Sequence, residues 1–161
     1  MRYLNKIVFI NSAAIRYSEV QLDGNIHLIG TQGVGKSTIL RAILFFYNAD
    51  TQRLGIPVEK KSYQDYYFPY ADSSIIYEVA REDGWFTVLS YKTMNRICYR
   101  FIASPYRPDL FIDEEGAPYP SDRIRSVLDK NGIKYSGAIS TYEEYRNTET
   151  RIINGITPVI P

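Results

Sequence analysis

The chain has one cysteine, one histidine, almost no net charge and no apolar run near the length of a membrane span. A lone cysteine excludes an internal disulfide framework, and Cys98 lies in an apolar and aromatic run where a buried, unreactive thiol is expected. The lone His27 falls in an alternating stretch and is read as structural rather than catalytic. Lys and Arg total 19 against 18 for Asp and Glu, so the summed field is weak and any contact with nucleic acid has to be local. The opening "MRYLNKIVFINSAA" mimics a secretory leader, but its apolar patch "IVFI" is shorter than the roughly 7–15 residues that such a core needs. No other stretch approaches the ~18 apolar residues of a membrane span. A soluble, cytoplasmic chain with no membrane partner is expected. Its 161 residues, 45% of them hydrophobic, suffice for one domain with a real core.

Along the chain, "NKIVFINSA" and "YSEVQLDG" suit short strands, and Asp23-Gly24 turns the chain into a third, "NIHLIG". "KSTILRAILFFYN" is apolar on most sides, as befits a buried helix, with Asn48 a suitable end. The polar and aromatic "ADTQRLGIPVEKKSYQDYYFPY" has no clear period and is read as a long surface loop. "SSIIYEVARE" and "WFTVLSYK" flank Asp83-Gly84, a two-residue hairpin signal, and "NRICYRFI" completes an antiparallel meander over residues 73–103. Over residues 109–155 a hairpin and helices are expected. "DLFID" and "APYP" pair around Glu114 to Gly116, "SDRIRSVLDKNG" forms a helix capped by Ser121 and ended by Gly132, and Ser140 with Glu143 opens a last helix.

One stretch carries chemistry. In "GTQGVGKST", residues 30–38, Gly30, Gly35, Lys36 and Ser37 match G-x-x-x-x-G-K-[ST]. Glycines let the backbone curl so that successive N–H groups converge on phosphate oxygens, and the following helix aims its positive end at the same point. Lys36 would reach the β- and γ-phosphates, and the Ser37 hydroxyl would ligate Mg²⁺. The expected nucleotide-binding set is Gly30, Gln32, Gly33, Val34, Gly35, Lys36, Ser37 and Thr38, with Ser37 the metal ligand. An apolar strand leads in and an apolar helix leads out, the context that the motif requires. A glycine-rich turn that binds nothing would leave Lys36 and Ser37 at the helix mouth unexplained.

This loop and its surroundings, "KIVFINSAAIRYSEVQLDGNIHLIGTQGVGKSTILRAI" followed by "SSIIYEVAREDGWFTVLSYK", resemble the N-terminal half of an ATPase head from the SMC, RecF and MukB branch of the ABC ATPases, including the SMC-like subunit of Wadjet defence systems. The resemblance implies an α/β P-loop NTPase fold, an ABC-type head lobe over residues 1–161 that carries an antiparallel β meander and is incomplete without its C-terminal half. It implies ATP and Mg²⁺ as cofactors, and as partners the C-terminal half of the same head, a second head and, in the full assembly, DNA. Walker B and signature motifs would come from the other half, so hydrolysis by this half alone is expected to be slow or absent. The tail "RIINGITPVIP" lacks the heptads with which a coiled coil would begin.

Several positions depart from that family pattern. Gln32 stands where these loops commonly carry Asn, and Ala13 where many relatives have an Arg that helps to hold the nucleotide. The glutamine expected near "GAISTYEEYR" is missing, so either Ser140 or Thr141 approaches the metal or the role is unfilled, while Gln64 comes too early in the order. "LFIDEEG" imitates a Walker B strand, in which Asp113 would assist Mg²⁺ and Glu114 would polarise water. Too few apolar residues precede Asp113 for a buried central strand, and a solvated hairpin turn is preferred there. Lys60 and Lys61, beside Tyr63, Tyr66 and Tyr67, could meet a DNA backbone, or could be a solvated pair beside tyrosines packed on the sheet. Two other functions stay open: a self-contained P-loop kinase with Glu114 as catalytic carboxylate, and a binding module whose loop is vestigial.

Overall fold

The computed structural model describes residues 3–22, 27–30, 36–48, 63–82, 84–93 and 96–140. Within them six strands form one sheet: β1 (Tyr3–Ser12), β2 (Ile15–Gln21), β3 (His27–Gly30), β4 (Ser74–Arg81), β5 (Gly84–Thr93) and β6 (Arg96–Ile102). Their order across the sheet is β3-β2-β1-β4-β5-β6, and every pairing is antiparallel. Helix α1 (Lys36–Asn48) and the short α2 (Tyr63–Tyr67) lie between β3 and β4 in the chain, and α3 (Ser121–Lys130) follows β6.

The expected α/β P-loop architecture is therefore overturned. Such a fold rests on parallel strands joined by crossover helices, whereas here every pairing is antiparallel and three of the connections are tight reversals, which force neighbouring strands to run in opposite directions. Ser12 pairs with Ile15, Arg81 with Gly84 and Thr93 with Arg96. The second of these puts the reversal one residue before the expected Asp83-Gly84 turn. After α1 and α2 the chain returns to the middle of the sheet, where β4 joins β1 with Ile7 opposite Tyr77 and Phe9 opposite Ile75. β3 is hydrogen-bonded to β2 alone among the described strands, with Ser18 opposite Gly30.

Both faces of the sheet are covered, which accounts for the continuous burial of β4. Ile7, Phe9, Ile75, Tyr77, Val79, Val88, Tyr99 and Phe101 point to one face, where they meet Ile39, Ala42, Phe45 and Phe46 of α1 together with Tyr67 and Phe68. Val8, Ile10, Ile76, Leu89 and Ile102 point to the other, where they meet Tyr106, Leu110, Phe111, Ile124 and Leu128. This alternation is the period-two signature of the strands. The stretch around Tyr67, expected as surface loop, thus contributes two fully buried side chains, Tyr67 and Phe68.

Local turns fix the ends of the elements. The β1–β2 reversal runs through Ala13 and Ala14 with φ of 49° and 62°, the left-handed backbone that a two-residue hairpin needs but that alanine adopts at a cost. Helix α3 begins with Pro120 at the N-cap, so Ser121 is the first helical residue and supplies no cap, contrary to expectation. Its far end is as expected: Gly132, at φ 68°, donates to the Asp129 carbonyl at 3.1 Å, and Ile133 donates to that of Leu128 at 3.0 Å, the paired bonds of a Schellman motif. Beyond Ser140, the helix expected from Ser140 and Glu143 and the tail after it lie outside the described residues, as do Asp23-Gly24 and the whole segment between α1 and α2.

Candidate phosphate-binding loop

The structure gives the two ends of the glycine-rich loop. β3 ends at Gly30 and α1 begins at Lys36. Gln32, Gly33, Val34 and Gly35 lie outside the described residues. At the start of α1, Ser37 is exposed and Thr38 is buried. The first turn of α1 contains no acidic side chain, so no carboxylate of its own competes for the amide N–H groups that have no partner at a helix start.

Two tyrosine hydroxyls fasten this helix. Tyr67 of α2 donates to the carbonyl of Thr38 at 2.9 Å, and Tyr77 of β4 donates to that of Ala42 at 3.0 Å. The acceptors are four residues apart, one turn along the same side of α1. Each carbonyl oxygen has a second lone pair beyond its intrahelical bond, so both bonds fit without breaking the helix. Phe46 meets Tyr77 edge to face with ring centroids 4.8 Å apart, and Phe45 lies 5.8 Å from Tyr99. Burial, reinforced by the neighbouring Tyr66, pushes the Tyr67 phenol well above its usual pKa, so it is a fixed hydrogen-bond donor at neutral pH.

The acidic pair lies elsewhere. Asp113 accepts hydrogen bonds from the amides of Glu115 and Ala117, both at 2.9 Å, and thereby closes its own turn. Ile112 bridges to Pro118, and Glu114 and Glu115 are exposed. The solvated hairpin is what forms, with residues Pro108–Leu110 in a 3₁₀ turn before it. Its Phe111 packs on the sheet face opposite the one that α1 covers. Ser140 is exposed and follows Ile139, which bridges to Tyr99 of β6, at the opposite edge of the sheet from β3. Ala13 sits in the β1–β2 reversal with its methyl group buried. Thr141, Lys60 and Lys61 lie outside the described residues, as does the side chain of Gln64. Cys98 is buried as expected, and burial raises its thiol pKa against the opposing pull of Arg96 and Arg100.

A family model described as "Protein of unknown function (DUF3584)" matches residues 11–154, a span that contains the whole glycine-rich loop. The chain belongs to the DUF3584 family. No curated protein and no solved structure matches it. Among the described residues of this DUF3584 chain, no helix is long and apolar enough to cross a membrane, and no three His, Cys, Asp or Glu side chains cluster as a metal site.

The sequence did not announce a polar network on the α3 side of the sheet. Glu78, buried in β4, accepts from Asn5 Nδ2 and from the Tyr106 amide, both at 2.7 Å. Gln21 donates to Asn5 at 2.9 Å. Next to them, Lys6 lies 3.1 Å from Glu19, and Tyr17 bonds Glu19 at 2.9 Å and Tyr106 at 2.8 Å. The one available signal was a glutamate inside the apolar run "SIIYEVA". A buried carboxylate needs such donors, and here they tie β1, β2 and β4 to the segment that follows β6.

Proposed function

We propose that this chain binds the triphosphate of ATP at Gly30 to Thr38, and that it acts as the ATP-binding N-terminal half of an SMC-like ATPase working on DNA. The observation that carries the proposal is a strand ending at Gly30 and a helix starting at Lys36, with the full phosphate-loop signature across the gap. The donor set fits a phosphate. The α1 N-terminus would supply N–H groups, Lys36 would supply a point charge for the β- and γ-phosphates, and no acid in the first turn of α1 opposes them. Mg²⁺ is held mainly by phosphate oxygens and water, so a single protein hydroxyl, Ser37, is a sufficient ligand on this side.

On this proposal the chain's own residues bind and orient the nucleotide. The groups that would position water and complete the charge-stabilising shell come from a C-terminal half and a second head, the partners that the SMC, RecF and MukB resemblance implies. Asp113 accepts two amide bonds of its own turn, which favours this reading over a self-contained kinase built on the Asp113-Glu114 pair.

The test is thermal. At a nucleotide concentration of about 100 Kd, linkage adds about 2.7 kcal/mol to the stability of the bound form. For a chain of this size that is a rise in Tm of roughly 5–10 °C. The gain should vanish in Lys36→Ala, and equal gains in both proteins would discard the proposal.

A further inference from the structure

Arg100 lies on the α3 side of β6 and is buried, only 5% exposed. Its Nη1 donates to the Ser136 carbonyl at 2.7 Å, its guanidinium lies 5.4 Å from the centre of the Tyr135 ring, and its Nε has no partner. Among the described residues no carboxylate forms an ion pair with it. A buried cation without a counter-charge is unfavourable, and an outside anion would relieve it.

The surroundings make a defined concave site. The strap of residues 133–137 is pinned against β6: Ala103 donates to the Lys134 carbonyl at 2.9 Å, Ser136 to that of Phe101 at 2.8 Å, and the Phe101 amide to Ser136 Oγ at 2.9 Å. Between this strap and α3 is a groove of about 540 Å³, floored by Arg100 and flanked by the exposed Arg125 and Lys134. One carboxylate, Asp129, also lines it, and its Oδ1 is engaged by the Tyr135 hydroxyl at 2.8 Å. Three cations thus face one carboxylate. The α3 C-terminus, whose carbonyls would repel an anion, is tied up by the amides of Asn131, Gly132 and Ile133.

We propose that this groove, built by Arg100, Arg125 and Lys134, is a second anion site that takes a phosphate ester, on the opposite face of the sheet from α1. A planar guanidinium held in place by a backbone carbonyl suits phosphate oxygens, and two exposed cations at the rim suit either a free phosphate compound or the backbone of a nucleic acid. The site is independent of the glycine-rich loop and stands or falls separately.

The chain is titrated at low salt with inorganic phosphate and, in parallel, with a short single-stranded DNA oligonucleotide, while the amide resonances of Arg100, Ser136 and Gly137 are followed. Saturable shifts at these amides are expected, and Arg125→Gln with Lys134→Gln, both at exposed positions, should weaken binding about tenfold or more. Saturation by phosphate alone identifies a small phosphate compound as the source. Tighter binding of the oligonucleotide identifies a nucleic-acid backbone, and the double variant then lowers the slope of log K against log salt by about 1.4. Lys36→Ala should leave the groove's binding intact. Unmoved amides with both probes, parent-like binding by the double variant, or loss of binding in Lys36→Ala would each overturn the proposal.

Discussion

The hydroxyl of Tyr67 donates to the carbonyl of Thr38 across 2.9 Å, linking a five-residue helix to the first turn of the helix that begins with Lys36. The bond is fully buried, and the tyrosine ring fills the core beneath α1. The end of the glycine-rich loop is therefore anchored to the sheet by a residue almost thirty positions downstream.

Removing that hydroxyl should loosen the anchor while keeping the ring. Tyr67→Phe is expected to cost about 0.5–1.5 kcal/mol, the net value of one buried hydrogen bond. Tyr77→Phe, one turn further along α1, should cost a similar amount. Urea denaturation of the two variants checks both, and an unchanged midpoint in each would mean that the hydroxyls contribute nothing.

The alanine pair at the β1–β2 reversal predicts a gain. Ala14 is exposed and holds φ at 62°, where glycine carries no Cβ penalty. Ala14→Gly should stabilise the protein by about 0.5–1 kcal/mol after the extra chain entropy of glycine is deducted. A higher denaturation midpoint with an unchanged denaturant slope is the expected result.

Gly132 predicts the opposite. Its φ is 68°, and a Cβ placed there would meet nothing within 4 Å, so any loss on substitution is conformational rather than steric. Gly132→Ala should cost about 1 kcal/mol by straining the Schellman end of α3.

Asp113 separates a turn role from a metal role. Asp113→Ala removes the acceptor of two amide bonds and should cost about 1 kcal/mol of stability. It should leave any rise in Tm caused by Mg²⁺ and ATP unchanged, whereas a metal ligand would lose that rise. Glu114→Gln, at an exposed position, should change neither.

Alkaline pH tests the network on the α3 side. Burial lifts the Tyr17 phenol from its ordinary value of 10.0 to about 12; Glu19 adds to the shift and the bond to Tyr106 opposes it. A pKa raised on folding means that the folded state holds the proton more tightly. The contribution of Tyr17 is thus complete below the unfolded value, near pH 10, and is lost as pH climbs through the folded value, near 12. Stability should fall across that window, and Tyr17→Phe should flatten part of the fall.

Much of the local structure was legible in the sequence. The boundaries of α1 follow from the apolar run after the glycines, and those of β4 and β5 from alternating β-formers on either side of a turn signal. The Schellman end of α3 was readable from Gly132 alone. What local signals do not encode is which strands become neighbours. Ile7 and Tyr77 lie opposite each other although seventy residues separate them, and nothing around either residue specifies that pairing. The α/β architecture was implied by the family resemblance, whose most specific part, the loop motif, constrains only the strand and helix that it joins. Glu78, Asn5 and Tyr106 were missed for a related reason, because their partners are set by the same long-range pairings. The candidate site is read from residue types alone, to which the structure adds the strand end at Gly30, the helix start at Lys36 and the two tyrosine anchors.

The central claim is tested most directly by an equilibrium titration of the intact chain with Mg·ATP, read by calorimetry beside the same titration of Lys36→Ala. Saturable binding near one nucleotide per chain, lost in the variant, is the predicted result. Absence of heat at saturating nucleotide under several buffer conditions, or equal binding by the variant, would contradict it.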